Sequence, residues 1–344
     1  MADGNLRWGL LSTARINERI IPGMRAARRS ELLAVSSRDQ AKAEAYAVEW
    51  EIPRAYGSYE AMLADPDVDV VYISLPNSMH EEWTIKCAEA GKHVLCEKPL
   101  AIRPEEVDRM AEAASRYGVV VQEATMMRFH QQTLDVKKLL AEGAIGDVRV
   151  IQSTFSYLLT RTVDIRLEPN MGGGALWDLG SYQASFSRSM VGAEPVEVLG
   201  WEVPHETGVD RSFFGHLRFA SGVVSQFFCS LKSAPTWHAE LIGLEGIMRL
   251  DLPYQNHPGG DGHVRIFRGS VAGESNTFGD SSGQLVEETL TYEDCDAYRD
   301  QVDTMAAIIL DGAETPLPLH DSRANVATIV ALYQSAREGR PVSL

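Results

Sequence analysis

Short apolar runs alternate with helical patterns through the first 125 residues, and this alternation restricts the possible folds more than any other feature of the sequence. The apolar runs, each predicted to form a strand, cover residues 6–11, 32–36, 69–75, 93–96 and 119–122. The helical patterns between them cover residues 16–29, 39–50, 78–90 and 104–117. Strands without polar alternation, separated by helices, are typical of a parallel sheet covered on both faces. We therefore predict an α/β fold in which residues 1–126 form a Rossmann domain, a doubly wound parallel sheet that binds a dinucleotide.

After residue 126 the pattern changes, and strands become the main predicted element. One helix is predicted at residues 134–142. The predicted strands cover residues 148–157, 196–203, 212–219, 223–231, 237–243 and 246–252. Residues 256–283 are rich in Gly and Ser and predict a long loop with one strand inside it, and two helices follow at residues 298–310 and 321–338. We predict that residues 127–344 form an α+β domain with a large, mostly antiparallel sheet.

The net charge of −16 over 344 residues argues against nucleic acid as a partner, because a phosphate backbone would be repelled. The segment from residue 1 to residue 38 departs from this balance, since it holds seven arginines and only three carboxylates. Such a local excess of positive charge favours a small anionic ligand near the N-terminus. Solvated arginines on a helix face are the alternative.

Cysteine, histidine and hydropathy patterns bear on compartment and cofactor class. The four cysteines show no C-x-x-C spacing and are too dilute for a secreted disulfide scaffold. The N-terminus lacks the charged and apolar regions of a signal peptide, and no apolar run approaches the ~20 residues that span a bilayer. The nine histidines show no metal-ligand spacing. We therefore expect a cytoplasmic protein with no metal site and no membrane partner.

The turn after the first strand carries the glycine pattern G-x-G-x-x-G in many dinucleotide-binding folds. Here Ser12, Ala14 and Asn17 occupy the three glycine positions. Ser12 and Ala14 are small enough for the backbone to approach a diphosphate, Thr13 and Arg15 add a hydroxyl and a cation, and a helix N-terminus favours an anion. An ordinary strand-to-helix turn, capped by Ser12 or Thr13, is the alternative.

The end of the second strand bears on the choice between NAD and NADP. An acidic residue there would bind the ribose hydroxyls of NAD, whereas this chain has Ser36, Ser37 and Arg38. Hydroxyl donors and a guanidinium suit a 2′-phosphate, which a carboxylate would repel. Asp39 follows directly, and we predict that it caps the next helix. The sequence thus favours NADP, with NAD the less favoured cofactor.

Six segments spread over nearly the whole chain carry a resemblance to one family. They are LLSTARIN at 10–17, PNSMH at 76–80, CEKP at 96–99, EATMMRFH at 123–130, GGGALWDLGSY at 172–182 and LYQSAREGRPV at 332–342. With these segments the chain resembles the Gfo/Idh/MocA oxidoreductases, and within them the branch of NADP-linked aldose (D-xylose type) and trans-dihydrodiol dehydrogenases. It departs from the family pattern in its glycine-free turn and in Gln131, where a proline is expected.

The resemblance implies an NADP-dependent oxidoreductase that transfers a hydride between nicotinamide and a hydroxyl or carbonyl group of an aldose or related cyclic polyol. It implies that Tyr182 is the acid/base, that Lys98 is its electrostatic partner and orients the substrate, and that Asp178 binds a sugar hydroxyl or positions Lys98. Because a free phenol is a weak base at neutral pH, a nearby lysine that favours the phenolate suits this chemistry. A helix residue packed against the sheet is the alternative for Tyr182.

The remaining site residues also follow from the resemblance and the turns described above. The cofactor-binding residues would be Ser12, Thr13, Ala14, Arg15, Ile16, Ser37, Arg38, Leu75, Asn77, His80, Glu97, Lys98 and Arg128. The substrate-binding residues would be Tyr157, Arg166, Trp177 and Asp178. A salt bridge at the domain junction is the alternative for Arg128, and a strand, a core and a loop position are the alternatives for Tyr157, Trp177 and Arg166.

Partners and rival functions complete the expectations. The exposed face of the second sheet makes the subunit contact in this family, so we expect a homodimer or a larger homo-oligomer. Two other functions stay open: an NAD-dependent glycosidase of the same fold, and a non-catalytic regulator that senses the cofactor. A degenerate turn that has lost its cofactor is a third alternative.

Overall fold

The computed structural model describes residues 4–254, 262–268, 286–293 and 295–344. The contacts divide the chain into two compact units. Unit 1 holds Met1–Phe129, Val163–Gly173 and Asp296–Val330, and unit 2 holds His130–Thr162, Gly174–Cys295 and Ala331–Leu344. The sequence predicted a single domain boundary at residue 126, which would place residues 163–173 and 296–330 in the second domain. The contacts place both of these segments in unit 1 instead.

Unit 1 is built on a parallel sheet with the strand order β3-β2-β1-β4-β5-β6. Its strands are β1 (Leu6–Leu11), β2 (Ser30–Ser36), β3 (Arg54–Tyr56), β4 (Val70–Ile73), β5 (His93–Glu97) and β6 (Val121–Ala124). Its helices before unit 2 are α1 (Asn17–Ala26), α2 (Gln40–Glu49), α3 (Tyr59–Leu63), α4 (His80–Glu89) and α5 (Pro104–Tyr117). All four residues of β4 are buried, as expected for a strand covered on both faces. The predicted doubly wound sheet is confirmed.

The strand order of this sheet determines where a ligand can bind. β1 lies between β2 and β4, so the order reverses there. In open α/β sheets the crevice outside the carboxyl ends of the strands at such a reversal takes the ligand. The turns that follow β1 and β4 are therefore the ones to examine for a cofactor.

Unit 2 contains a nine-stranded sheet in the described residues, ordered β14-β13-β12-β11-β7-β10-β9-β8-β15. Its strands are β7 (Val148–Leu158), β8 (Pro195–Pro204), β9 (Asp210–Phe219), β10 (Val224–Ser230), β11 (Lys232–Gly243), β12 (Gly246–Leu250), β13 (Gly262–Arg268), β14 (Val286–Tyr292) and β15 (Val342–Ser343). Neighbouring strands are antiparallel except for the parallel pair β7 and β10. The mostly antiparallel second sheet is confirmed.

The helices in the second half of the chain are α6 (Gln131–Ala141), α7 (Ser181–Val191), α8 (Ala297–Asp311) and α9 (Leu319–Glu338). A turn of π-helix, Leu176–Gly180, leads directly into α7. The strand predicted inside the Gly- and Ser-rich segment is present as β13, and the rest of that segment, apart from residues 262–268, lies outside the described residues.

Two elements show why hydrophobic periodicity does not predict the whole fold. Helix α7 has ten buried residues in succession, Ser181 to Met190, and six of them are Ser, Gln or Arg. A helix buried on every side has no apolar stripe, so its sequence lacks the 3.6-residue period that identifies a surface helix. Strand β3 is only three residues long, which is too short for any period.

Candidate active site

The turn after β1 has glycine geometry without a glycine. Ser12 has φ of 122°, in the region that favours glycine. Its hydroxyl accepts a hydrogen bond from the Ala14 N–H at 3.2 Å and bonds the Ser74 hydroxyl at 2.9 Å. The Asn17 amide donates to the Ser12 carbonyl at 2.8 Å, which holds the first residue of α1 against the turn. The small side chains and the helix start fit a diphosphate, so this turn retains the shape of the glycine pattern.

The residues after β2 differ sharply in exposure. Ser37 is buried and Arg38 is exposed. Asp39 accepts a hydrogen bond from the Lys42 N–H at 3.1 Å and is the N-cap of α2, as predicted. Burial raises the pKa of the neighbouring Tyr59, and the Arg38 guanidinium, which hydrogen-bonds that phenol, opposes the rise. The Arg38 guanidinium is therefore exposed on unit 1, with the Tyr59 phenol beside it.

His80 joins the segments that follow β4 and β5. Its Nε2 lies 2.8 Å from the Leu75 carbonyl oxygen, and its Nδ1 lies 2.9 Å from the Pro99 carbonyl oxygen. The side chain is fully buried, and burial lowers its pKa against the effect of the two carbonyl acceptors. The imidazole thus positions the two loops. A contact between this residue and a cofactor stays a prediction.

The Lys98–Pro99 bond is cis. The carboxylate of Glu97 accepts a hydrogen bond from the Lys98 N–H at 3.2 Å and another from the Tyr72 hydroxyl. Lys98 is half-buried. Tyr72 was missed from the sequence, although a single phenol in the apolar strand 69–75 was a signal that could have identified it. Asn77 donates to the Gly172 carbonyl at 2.8 Å and so ties the loop after β4 to residues 163–173 of the same unit.

Arg128 and Arg166 make ion pairs within unit 1. Arg128 is buried, and its Nη2 lies 2.8 Å from Asp321 Oδ2 and 3.2 Å from the Pro316 carbonyl. A salt bridge of Arg128 is therefore present, but it lies within unit 1 and not at a domain junction, where the sequence placed it as the alternative. Arg166 is half-buried and donates to Asp164 Oδ1 at 3.1 Å. Contacts of either guanidinium with a cofactor or a substrate stay predictions.

The part of the GGGALWDLGSY segment that belongs to unit 2, residues 174–182, forms the π-turn and the start of α7. The Tyr157 hydroxyl donates to Asp178 Oδ2 at 2.9 Å, so two predicted substrate residues are joined directly. The ring of Tyr182 lies 5.7 Å from that of Phe155 and 6.3 Å from that of Tyr254, measured between centroids. Tyr182 is only 4% exposed, and Trp177 only 8%. Packing against the sheet, the alternative for Tyr182, is thus part of its environment, and its chemical role stays a prediction.

Unit 1 therefore brings together Ser12 and Ser74 at the reversal in strand order, and His80 with the loop of Lys98. Unit 2 brings together Tyr157 and Asp178, one helical turn before Tyr182. Ser12, His80, Lys98, Asp178 and Tyr182 lie in segments that carry the family pattern, whereas Ser74 and Tyr157 lie outside those segments. Within the described residues no group of three or more His, Cys, Asp or Glu side chains could hold a metal ion. None of the described helices is both long and apolar enough to cross a bilayer.

Comparison with known proteins assigns the family. Residues 6–125 match the model of an oxidoreductase family with an NAD-binding Rossmann fold, and residues 133–249 match the GFO/IDH/MocA C-terminal domain. The two models together cover most of the chain. The protein belongs to the Gfo/Idh/MocA family of oxidoreductases.

Particular relatives extend over almost the whole chain. It is 36% identical to an uncharacterized oxidoreductase of Rhizobium meliloti, over 97% of this chain and 98% of that protein. It is 33% identical to an NADP(+)-dependent D-xylose 1-dehydrogenase of Haloferax volcanii, over 98% of this chain and 100% of that protein. Among solved structures it resembles a 3-ketoreductase from Actinomadura kijaniata in complex with NADP, with a TM-score of 0.86 and 26% identity over 96% of this chain and 98% of that one.

Proposed function

We propose that this protein is an NADP-dependent dehydrogenase or reductase that acts on one hydroxyl or carbonyl group of an aldose or related cyclic polyol. The observation that carries the proposal is the Ser12 turn, where a small residue has a positive φ in the region that favours glycine, at the point where the strand order reverses. The full-length similarity to a D-xylose dehydrogenase supports the substrate class.

Cofactor choice rests on the residues after β2. Ser37 and the exposed Arg38 would hold the 2′-phosphate of NADP, since a guanidinium forms paired, charge-assisted hydrogen bonds with phosphate. The nearest carboxylate, Asp39, accepts from the backbone of α2 as its cap, so its charge is engaged there. The residues of the turn, Ser12 to Ile16, would hold the diphosphate.

The chemical step needs a hydride partner, which the nicotinamide supplies when NADP is bound, and a group that takes the hydroxyl proton. We assign Tyr182 as this acid/base and Lys98 as the cation that favours its phenolate form and orients the substrate. Asp178, which accepts from Tyr157, would bind a sugar hydroxyl or position Lys98. We also assign Trp177 and Arg166 as substrate-binding residues, since an apolar ring face and the hydrogen-bond donors of a guanidinium both suit a sugar.

We further propose that the protein is a homodimer or larger homo-oligomer in the cytoplasm. Trp201 is 52% exposed and Phe214 is 42% exposed on the sheet of unit 2. Phe214 and Phe228 lie side by side there, with 4.8 Å between their ring centroids. Exposed aromatic clusters of this kind mark protein interfaces. Sedimentation of wild type and of Trp201→Glu, which adds a charge to this face, would test the assembly.

The first experiment is a fluorescence titration of the purified protein with NADPH and with NADH. Tight NADPH binding, weak NADH binding and a loss of about 10-fold or more in NADPH affinity for Arg38→Ala are expected, because one charged contact with phosphate is removed. Arg116→Ala, which removes an exposed arginine of α5, is the matched control and should bind like wild type. Equal affinity for both cofactors, or no effect of Arg38→Ala, would contradict the NADP assignment.

The second experiment measures turnover with NADP and a panel of aldoses that includes D-xylose. We expect wild type to form NADPH, and we expect Lys98→Ala and Tyr182→Phe to abolish this activity. Cofactor that stays bound while glycosides are cleaved without net reduction would favour the NAD-dependent glycosidase. Cofactor binding without turnover on any sugar would favour the regulator.

A further inference from the structure

A buried aspartate in unit 2 contacts the start of the helical segment that carries Asp178 and Tyr182. Asp210, the first residue of β9, is 2% exposed. Its Oδ2 accepts a hydrogen bond from the Leu176 N–H at 2.8 Å, and its Oδ1 accepts one from the Tyr333 hydroxyl at 2.6 Å. Both carboxylate oxygens are therefore engaged, one by the π-turn and one by α9.

Tyr333 is fixed on both of its sides. Its ring centroid lies 5.8 Å from that of Trp177, next to Asp178, and 5.6 Å from that of Phe213 in β9. Burial and the neighbouring Asp210 carboxylate raise the pKa of the Tyr333 phenol well above its ordinary value, so the phenol stays a donor. The hydrogen bond and the ring contacts together connect β9, the π-turn and α9.

Gly174 supplies the third part of this arrangement. Its φ is 121°, and a Cβ there would collide with Asp210 Oδ1 and lie 2.8 Å from the Tyr333 hydroxyl. Its carbonyl accepts from the Asp178 N–H at 3.0 Å, which sets the first turn of the segment. The carboxylate and the phenol can approach the backbone closely only because residue 174 has no side chain.

We propose that Asp210 and Tyr333 are positioning residues that set the location of Asp178 and Tyr182 by fixing the first turn of their helix. We call Gly174, Asp210 and Tyr333 the helix clamp. This inference rests on the proposed function for its consequence in catalysis, but its structural part concerns the helix alone. Neither residue of the pair is given a contact with substrate or cofactor.

The physical reason for an effect on rate is the sensitivity of catalysis to position. A displacement of about 1 Å in a catalytic group can lower the rate about 100-fold without changing how tightly a remote ligand binds. The Leu176 N–H is one of the first amides of a helical segment, and these amides have no partner within the helix. If the Leu176 N–H lost its acceptor on Asp210, the turn that precedes Asp178 would become more mobile.

The test compares Asp210→Ala, Asp210→Asn, Tyr333→Phe and wild type in hydrogen–deuterium exchange and in kinetics. Asn keeps an acceptor for the Leu176 N–H and offers an amide to the Tyr333 oxygen, so it should behave like wild type in both measurements. Asp147→Ala, which removes an exposed aspartate elsewhere in unit 2, is the control.

We expect amides of residues 174–183 to exchange about 10-fold faster in Asp210→Ala and less so in Tyr333→Phe, with other peptides unchanged. We expect kcat of Asp210→Ala to fall about 10-fold or more, while KM and NADPH affinity change less than about 2-fold. Rescue by Asp210→Asn separates hydrogen bonding from a general loss of stability.

Three results would overturn the clamp. One is unchanged exchange of residues 174–183 in Asp210→Ala, another is unchanged kcat despite a lower melting temperature, and the third is an equal loss in Asp210→Ala and Asp210→Asn. If Asp210→Ala does not fold, Tyr333→Phe decides, since it removes one hydroxyl and keeps both ring contacts. If wild type shows no turnover, the proposed function fails, whereas the exchange data still test the clamp.

Discussion

Units 1 and 2 place their functional residues by different means. In unit 1 the turn at Ser12, the Ser37–Arg38 pair and the loop of Lys98 each follow directly on a short parallel strand. In unit 2 Asp178 and Tyr182 lie on a helical segment buried on every side, and its first turn is held by Asp210 and Tyr333, which are distant in sequence. Chain order therefore fixes the first site, and tertiary contacts fix the second.

The largest effect that would sharpen this comparison is on the chemistry of unit 2. Tyr182→Phe should lower kcat about 1,000-fold, because the acid/base is removed while the ring contacts with Phe155 and Tyr254 are kept. NADPH binding should be unchanged, since the cofactor residues belong to unit 1. Steady-state kinetics and a fluorescence titration measure the two quantities.

The matched control for this variant is Tyr117→Phe at the end of α5, where the phenol is 40% exposed. It should keep wild-type kcat. A Tyr182→Phe protein that retains a third of the wild-type rate would remove Tyr182 from the chemical step.

The next largest effect concerns the free energy of unfolding and tests what burial of the Asp210 carboxylate in unit 2 costs. Burial raises the pKa of Asp210 to about 7, against 3.8 for an exposed aspartate. The folded protein therefore holds a proton that the unfolded chain has lost between about pH 4 and pH 7, so stability falls as pH rises through this interval. Asp210→Asn cannot lose this proton, so its free energy of unfolding should exceed that of wild type at pH 8 by up to about 4 kcal/mol.

Urea unfolding at pH 5 and pH 8 measures this difference. The gap between Asp210→Asn and wild type should be larger at pH 8 than at pH 5. The same pH dependence in both proteins would mean that Asp210 does not titrate in this range.

A smaller effect concerns the ion pair of Arg128 and Asp321. This pair is an exception to the comparison, because it is a contact within unit 1 between residues distant in sequence. Asp321→Ala leaves the buried Arg128 guanidinium without its carboxylate, and should lower the free energy of unfolding by about 3 kcal/mol. Asp311→Ala breaks the exposed pair with Arg29 and should cost much less, because solvent screens an exposed pair. Chemical denaturation of both variants decides, and equal losses would show that burial of Arg128 has no energetic consequence.

The smallest effect tests whether backbone conformation alone fixes the turn of unit 1. A β-branched residue tolerates the φ of Ser12 poorly, so Ser12→Val should destabilise the protein by about 2 kcal/mol and weaken NADPH binding. Ser12→Gly relieves the strain but loses the bond to Ser74, and should stay within about 1 kcal/mol of wild type. Thermal melts and NADPH titrations check both variants, and similar behaviour of Gly and Val would contradict the role of this conformation.

Much of the fold follows from periodicity, and the exceptions have physical reasons. β1 and α5 have the predicted bounds, because an unbroken apolar run and a proline-to-glycine interval are clear signals. β6 is displaced by two residues from its predicted range, since its sequence Val-Gln-Glu-Ala is half polar although all four residues are buried. The buried side chains of Gln122 and Glu123 are hydrogen-bonded within unit 1, Gln122 to the Leu317 carbonyl and Glu123 to the Leu100 N–H. No local sequence pattern reveals these partners.

The candidate site divides in the same way. The sequence by itself determined the parallel sheet, the segments that carry Lys98 and Tyr182, and the serine and arginine that favour NADP, because these depend on local pattern and residue type. Only the tertiary structure decided that Ser12 takes a glycine conformation, that His80 is buried between two carbonyls, that Arg128 pairs with Asp321, and that Asp210 and Tyr333 hold the helix of Asp178. These contacts join residues far apart in the chain, and the free energy of burying a polar group depends on partners that only folding brings together.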